Sequence, residues 1–208
     1  DNTRVDVPSG VIRGFNAISG ELVWDWEALP PGYEKTSDAY VPGTANAWAP
    51  LSADSERGLV YIPTGNPAND YWGGDRNGLD YYGSSVVALN AATGELVWNF
   101  QTVYHDVWDW DIASPPLLFD YEAEDGAVIP ALAQGTKLGI VYVLNRETGQ
   151  PIFPIEEFEV PSGGPAPEVL SPVQIRPTLP EPLHPAALTE DDMWGFTWYD
   201  EWACKKEF

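Results

Sequence analysis

The 208-residue sequence predicts an all-β fold, a β-propeller, from its composition, its turns and an internal repeat. Ten tryptophans, twenty prolines and nineteen glycines favour short strands joined by many turns over helices. Three segments share one pattern, in which an alternating apolar strand leads into an Asn-x-x-Ser/Thr-Gly turn and a second short strand. Repeated antiparallel hairpins of this kind are typical of propeller blades.

The copies of the repeat cover residues 10–24, 84–98 and 139–153. They end on Trp24, Trp98 and Phe153, each four positions after the turn glycine, so that the aromatic ring can dock against a neighbouring repeat. A blade of four strands takes about 40 to 50 residues. The whole chain, residues 1–208, is therefore predicted to be one partial propeller domain of about three blades within a longer protein.

The segments between the repeats differ in character. Residues 58–63 and 117–120 read as further strands. Two long insertions are predicted at about residues 30–56 and 67–83, and long loops on a rigid scaffold often carry function. The proline-rich stretch at about residues 154–187 is predicted to be an extended excursion over the surface of the same domain.

The charge balance and the cysteine content exclude several classes of function. With 32 acidic and 10 basic residues, a net charge of −22 repels phosphate backbones, so no nucleic-acid partner is expected. The single cysteine, Cys204, cannot form an internal disulfide bond. Together with only two histidines, His105 and His184, it argues against a structural zinc site. No apolar run approaches the length of a spanning helix.

The segment 104–111, Tyr-His-Asp-Val-Trp-Asp-Trp-Asp, concentrates polar chemistry. In an extended segment, Asp109 and Asp111 would face one side, and Trp108 and Trp110 would face the other. Two carboxylates so close repel each other unless a cation lies between them or one of them holds a proton. A site for a hard cation is one interpretation. A solvated acidic loop with tryptophans packed beneath it is the other, and these residues alone leave both open.

At this point the chain resembles the quinoprotein dehydrogenases, whose eight-bladed propellers hold pyrroloquinoline quinone (PQQ). The repeated turn A/N-x-x-T-G-E-x-x-W is similar to the tryptophan-docking motif of that family. The similarity is greatest to the membrane-bound branch that oxidises glucose, quinate and related polyols. It is carried by the stretches TANAWAP, YIPTGNPANDYWGGDRN, QTVYHDVWDWDIASPP, TKLGIVYVLNRETGQ and MWGFTWYDEWACKKEF, beside the first repeat.

The resemblance implies roles for individual residues. Asp109 matches the catalytic carboxylate, which removes the proton of the substrate hydroxyl while hydride passes to PQQ. Asn66 matches a metal-coordinating asparagine that serves the cation beside Asp109. Trp48 matches the indole on which the PQQ rings stack. Lys137 matches the basic residue that hydrogen-bonds the quinone oxygens and stabilises the negative charge developing there.

Other positions are less decisive for the chemistry. Asp111 has the offset of an additional aspartate that ligates lanthanide ions in some relatives, but relatives that use Ca²⁺ or Mg²⁺ carry it too. The metal therefore stays open. Asp1 and Asn2 match an Asp-Asn pair near the cofactor and metal. His105 is expected either to line the substrate entrance or to make structural hydrogen bonds. Ala68 replaces a threonine of the glucose-oxidising relatives, so the substrate stays open between glucose, quinate and another polyol.

The implied function is PQQ-dependent oxidation of a sugar or polyol in the periplasm, with ubiquinone as electron acceptor and a membrane anchor outside this segment. The segment alone is expected to be inactive, because PQQ lies on the propeller axis and takes contacts from several blades. The alternative is a non-catalytic propeller scaffold that binds proteins. The joint presence of Trp48, Asn66, Asp109 and Lys137 favours the enzyme.

Overall fold

The computed structural model of the chain describes residues 7–33, 43–76, 78–165, 168–185 and 187–208. Within these ranges nearly all regular structure is strand, which confirms the all-β prediction. The elements are β1 (Ile12–Phe15), β2 (Leu22–Trp26), β3 (Ser52–Asp54), β4 (Leu59–Pro63), β5 (Ser85–Asn90), β6 (Leu96–Gln101), β7 (Leu117–Glu122), β8 (Val128–Gly135), β9 (Val141–Asn145), β10 (Ile155–Glu159), β11 (Val173–Pro177) and α1 (Trp198–Glu207), with 3₁₀ turns at Leu79–Tyr82 and Glu190–Asp192.

The strands form separate antiparallel sheets. The second repeat lies in a four-stranded sheet of order β3-β4-β5-β6, the sheet expected of a complete blade. The first repeat forms the β1-β2 pair, and the third belongs to the three-stranded β7-β8-β9 sheet. A further pair, β10-β11, follows them. The described chain is therefore a partial propeller, as predicted.

The four-stranded sheet is buried on both faces, as alternation along β5 shows. Val86 and Ala88 pack in one apolar cluster with residues of β8, β9 and β11. Val87 and Leu89 pack in a second cluster with residues of β1 and β2. Because successive side chains of a strand point to opposite faces, the two clusters lie on opposite sides of the same sheet. The sheet is thus sandwiched between its sequence neighbours, as adjacent blades are.

Tryptophans join each repeat to the next. Trp24 donates its indole N–H to a backbone carbonyl in the turn of the second repeat at 2.9 Å, and Trp98 donates to one in the third repeat at 3.1 Å. The indoles cover the turn glycines so closely that a Cβ on Gly94 would lie 2.7 Å from Trp24, and one on Gly149 would lie 2.6 Å from Trp98. Aromatic docking between repeats, expected from the sequence, is thus present for both tryptophans.

This docking predicts unequal costs for two glycine substitutions. Gly149 and Gly126 both have positive φ, at 73° and 83°, but a Cβ on Gly126 meets nothing within 4 Å. We expect Gly126→Ala to cost about 1–2 kcal/mol for the left-handed backbone. Gly149→Ala should cost roughly 2–5 kcal/mol, since overpacking against Trp98 adds to that strain. Urea unfolding of both variants measures the difference, and equal losses would contradict the docking role.

The proline-rich segment contains a hairpin that was not predicted. Residues 154–187 were expected to be an extended excursion over the surface, and within them β10 and β11 pair over Ile155–Glu159 and Val173–Pro177. The pairing is anchored by Ile175, which is buried and joins the apolar cluster beside β9. The prolines lie outside the two strands or, like Pro177, at a strand end, so the N–H groups within the strands can still pair and a proline-rich composition does not exclude a hairpin.

Two other parts of the chain also depart from a simple repeat. In the third repeat the second strand is reduced to one bridge between Leu144 and Pro151, because proline lacks the N–H that a ladder needs. Near the end of the chain, α1 begins at a capping box in which Thr197 and Asp200 exchange hydrogen bonds. Across the described ranges, we find no helix with the length and apolarity needed to cross a bilayer.

The expected insertions are partly described. In the first, residues 34–42 lie outside the described ranges. Its end contributes β3, which pairs with β4 and so belongs to the blade. The second, residues 67–83, is loop closed by the 3₁₀ turn at Leu79–Tyr82. Both insertions bring side chains to the end of the sheet where β4 stops and β5 begins.

Candidate active site

A polar cavity of about 360 Å³ lies where the loop before β3 meets the loops after β4, β6 and β8. It brings together five residues that the sequence singled out for cofactor and metal binding, all of them within the described ranges. Two further residues, one from each insertion, complete the lining. The cavity is lined by Asn46, Trp48, Asn66, Asp70, Asp109, Asp111 and Lys137.

The loop after β6 places its acids and its tryptophans on opposite sides. Asp109 and Asp111 line the polar cavity, whereas Trp108 and Trp110 stack on each other at 6.2 Å and line a different, apolar cavity. The separation does not come from an extended backbone throughout, because Asp109 has a left-handed φ of 60°. A non-glycine residue in that conformation is uncommon and is held by its surroundings.

Asp106 holds this loop. Its Oδ1 accepts a hydrogen bond from the Trp108 N–H at 2.9 Å, and its Oδ2 accepts from the Trp110 N–H at 2.7 Å and the Ser84 hydroxyl at 2.8 Å. Burial raises the pKa of Asp106 although these hydrogen bonds favour its charged form. Aspartate bonds to nearby backbone N–H groups stabilise tight turns. Asp106, for which no role was predicted, thus holds the turn that carries Asp109.

Lys137 converges with the two acids of the cavity. Its Nζ donates to the backbone carbonyl of Asp109 at 2.7 Å and lies 3.4 Å from Asp109 Oδ2 and 4.0 Å from Asp111 Oδ2. The same ammonium lies 5.6 Å from the centre of the Trp48 ring. Asp109 Oδ1, by contrast, is buried and has no hydrogen-bond partner among the described residues. One oxygen of the expected base is therefore left for a ligand.

Asp111 connects two other residues that line the cavity. Its Oδ1 accepts from the Asn66 backbone N–H at 2.6 Å, and its Oδ2 accepts from the Trp48 indole N–H at 2.9 Å. Burial raises the pKa of Asp111, against the effect of these two donors and of Lys137. The bond to Asp111 fixes the orientation of the Trp48 ring. Because Trp48 is 55% exposed, the rest of its side chain stays accessible. Such a ring suits stacking by a flat ligand.

The donors of the cavity suit a hard cation only in part. Asn66 is buried, and its amide oxygen lies 3.2 Å from the Ser84 hydroxyl. The single hydrogen of that hydroxyl is also within reach of Asp106 Oδ2, at 2.8 Å, so at least one lone pair of the Asn66 oxygen stays available. Amide and carboxylate oxygens are the ligands that Ca²⁺ and Mg²⁺ prefer. However, no three acidic or imidazole side chains within the described ranges stand close enough to hold a metal by themselves. Asn66 and Asp109 would need further oxygen ligands.

Two residues of the second insertion were not predicted. Asp70 is 3% exposed and its Oδ2 has no partner among the described residues. Burial, followed by the charges of Asp111 and Asp109, raises the pKa of Asp70 to about 7. Arg76, 1% exposed, donates to backbone carbonyls of the insertion and of the Asp106 loop. The signal available in the sequence was an acidic and a basic residue in a loop long enough to reach the site.

His105 lies outside the polar cavity. Its ring nitrogens contact Asp80 Oδ2 at 3.2 Å and Glu168 Oε1 at 2.5 Å, and both carboxylates raise its pKa, Asp80 most. It lines the apolar cavity of about 480 Å³ beside Trp108. Of the two roles considered for His105, the contacts favour structural hydrogen bonding. Asp1 and Asn2, matched to the cofactor region from the sequence, lie outside the described residues.

Relatives of known name match the chain over its whole length. It is 41% identical to quinoprotein glucose dehydrogenase A of Acinetobacter calcoaceticus and 42% identical to the glycerol dehydrogenase large subunit of Gluconobacter oxydans. It is 38% identical to a probable quinate dehydrogenase (quinone) of Xanthomonas campestris. In each case 100% of this chain is covered, but it spans only 27%, 29% and 27% of those proteins.

Solved structures and a family profile agree with these relatives. A quinohemoprotein alcohol dehydrogenase from Pseudomonas putida superposes on 73% of this chain, and 25% of that protein, with a TM-score of 0.57 and 27% identity. A europium-containing methanol dehydrogenase covers 66% of this chain with a TM-score of 0.56 and 26% identity, over 28% of its own length. The profile of the PQQ glucose/ethanol/alcohol dehydrogenase β-propeller domain matches residues 1–208. The chain therefore belongs to the PQQ-dependent glucose/ethanol/alcohol dehydrogenase β-propeller family.

Proposed function

We propose that the protein containing this chain oxidises a hydroxyl group of a sugar or polyol, with PQQ and a divalent or lanthanide cation at the polar cavity. The observation that carries the proposal is the convergence of Trp48, Asn66, Asp109, Asp111 and Lys137 on one cavity. A protein-binding scaffold, the alternative considered from the sequence, has no use for a buried carboxylate oxygen without a partner.

The cavity fits PQQ through complementary surfaces. The exposed part of the Trp48 side chain offers a flat apolar face, which suits the rings of the cofactor. The Lys137 ammonium, among three acids, is the charge that complements an anionic cofactor. When bound, PQQ would supply the quinone that accepts the electrons of the substrate. Asn66 and Asp109, with Asp111 in support, would supply oxygen ligands to the cation.

Asp109 would remove the proton of the reacting hydroxyl. Its Oδ1, which has no partner among the described residues, can accept a hydrogen bond from that hydroxyl. The loop held by Asp106 presents this oxygen without rearrangement. Lys137, 3.4 Å from Asp109 Oδ2, would hold the other oxygen and donate to negative charge that develops nearby. The loop held by Asp106 would contribute to the rate by keeping Asp109 in a reactive geometry.

The names of the relatives suggest the substrate class and the acceptor. They describe proteins acting on glucose, glycerol and quinate, and one name specifies a quinone. For the present protein we propose a sugar or polyol substrate, a membrane ubiquinone as acceptor, and a periplasmic location with an anchor outside this chain. The three named substrates all carry several hydroxyl groups, so the reacting hydroxyl must be selected among similar ones.

Reconstitution tests this proposal directly. The apoprotein that contains this chain is loaded with PQQ and Ca²⁺, Mg²⁺ or La³⁺, and reduction of an artificial dye acceptor is followed with D-glucose, glycerol and quinate. We expect turnover with at least one substrate, and only when both PQQ and a metal ion are present. Substrate oxidation that proceeds equally without PQQ, or no oxidation under any combination, would contradict the proposed function.

A further inference from the structure

The Asp70 carboxyl group lines the polar cavity, and one of its oxygens has no hydrogen-bond partner among the described residues. It is 3% exposed, it lines the cavity with Asp109 and Asp111, and its Oδ2 accepts no hydrogen bond from the described residues. A buried polar atom that forms no hydrogen bond lowers stability, so such atoms call for an explanation. A ligand that enters the cavity and donates to this carboxyl group would provide one.

The neighbouring Arg76 guanidinium holds the backbone of Asp70, and its described hydrogen bonds do not include the Asp70 carboxyl group. Arg76 Nη2 donates to the backbone carbonyls of Asn69 at 2.6 Å and Asp70 at 3.1 Å. Its Nη1 donates to Asp80 Oδ1 at 2.7 Å and to the backbone carbonyl of Asp106 at 2.6 Å. Arg76 therefore joins the second insertion to the loop of Asp109. Asp70 is held in place relative to the base, which makes its carboxyl group a preorganised binding group.

The chemistry of the cavity limits what this carboxyl group can bind. A metal held by Asp70 together with Asp109 and Asp111 is disfavoured, because no three such groups in the described ranges stand close enough. Asp70 is also unsuited to hold an anionic cofactor, for which Lys137 supplies the complementary charge in this cavity. A neutral hydroxyl satisfies the carboxyl group without adding charge, and sites that hydrogen-bond a substrate hydroxyl reject analogues that lack it strongly.

We propose that Asp70 binds a second hydroxyl of the substrate, other than the one deprotonated by Asp109, and so selects for polyhydroxylated substrates. The inference rests on the proposed function and deepens it. The raised pKa of Asp70 is compatible with this role, since a carboxylate accepts a hydrogen bond from a hydroxyl and a carboxylic acid can also donate one. Asp70 belongs to the insertion at residues 67–83, which lies outside the repeats.

The test compares substrates that differ by one hydroxyl in the PQQ-loaded protein. The variants are Asp70→Leu, which removes the group, and Asp70→Asn, which keeps one acceptor oxygen. The matched control is Asp75→Asn, an exposed acid of the same insertion that does not line the cavity. kcat/KM is measured with D-glucose and its 2-, 3-, 4- and 6-deoxy analogues, or with glycerol, 1,2-propanediol and 1,3-propanediol if glycerol is the better substrate.

For the wild-type protein, we expect one particular deoxy analogue to be a poorer substrate by about 10- to 100-fold. Asp70→Leu should lower kcat/KM for the parent substrate by about the same factor and leave that analogue nearly unchanged. Asp70→Asn should show a smaller loss, and Asp75→Asn should match the wild type. Equal losses on every analogue, or no loss at all, would overturn the role of Asp70.

Two binding measurements separate this role from a cofactor or metal role. PQQ affinity of the apoprotein, from equilibrium dialysis, and the Ca²⁺ concentration for half-maximal activation should both change less than about twofold in Asp70→Leu. A shift of tenfold or more in either one would assign Asp70 to the cofactor or the cation and overturn the proposal. If the wild-type protein oxidises no substrate, the proposed function fails first, which distinguishes that outcome from an error about Asp70.

Discussion

Replacing Asp109 by asparagine should lower kcat by about 10²- to 10⁴-fold, the contribution of a positioned general base. The amide has nearly the size of the carboxylate and can keep the loop conformation, because the hydrogen bonds that hold the loop are accepted by Asp106. It can no longer take the proton of the hydroxyl. Trp48 is untouched, so we expect PQQ affinity to fall by much less than kcat.

The measurement is steady-state kinetics of the reconstituted protein beside equilibrium dialysis with PQQ. Glu124→Gln, an exposed carboxylate in the turn between β7 and β8, is the matched control for loss of one charge, and it should behave as wild type. If Asp109→Asn kept more than about a tenth of the wild-type kcat, Asp109 would not be the base. A parallel collapse of PQQ binding would point to a role in cofactor or metal binding instead.

Replacing Lys137 by alanine should slow reduction of the bound cofactor by about 10²- to 10³-fold, as removal of an oxyanion donor does in comparable sites. The ammonium contacts the Asp109 backbone carbonyl and lies over the Trp48 ring, so it would be available to a quinone oxygen of a cofactor stacked there. Lys137→Arg keeps the charge with different geometry and should restore part of the rate.

Stopped-flow reduction of bound PQQ by excess substrate measures this step without the later transfer to an acceptor. Lys205→Ala, in α1, removes one positive charge whose carboxylate partner is four residues away in the same helix, and should leave the rate unchanged. An unchanged rate in Lys137→Ala would remove Lys137 from the chemistry. Loss of PQQ binding with a normal rate at saturation would make it a binding residue only.

Much of the fold was visible in the sequence because its signals are local. The turn of each repeat brings its own glycine and asparagine, and the continuous apolar run Val86, Val87, Ala88 and Leu89 is typical of a strand buried on both faces. The pairing of β10 with β11 depends instead on Ile175 reaching a core built by other strands. Local patterns do not carry such long-range contacts, and the proline content of the segment pointed the other way.

The candidate site likewise has residues that sequence motifs predicted and residues that they did not. Asp109, Asp111 and Lys137 were found through motifs that resemble a known family, and the structure places them around one cavity. Asp70 and Asp106 carry no comparable signal. Asp106 acts through the turn that its bonds to the Trp108 and Trp110 N–H groups support, and Asp70 becomes a cavity residue only when its insertion meets the loop of Asp109. The left-handed φ of Asp109 is likewise set by the hydrogen bonds of Asp106, which alternation along a strand cannot predict.

The docked tryptophans have a consequence for how such a protein can diversify. Trp24 contacts the turn that follows β5, whereas Ser84, beside the cavity, immediately precedes β5. With six residues at about 3.3 Å each, β5 separates the two ends by about 20 Å. Mutations that lengthen or reshape the loops around the cavity therefore leave the joints between sheets untouched. Substrate range can change during evolution through the loops at the cavity end of the sheets. The contacts at the opposite end meanwhile preserve the architecture that any new specificity requires.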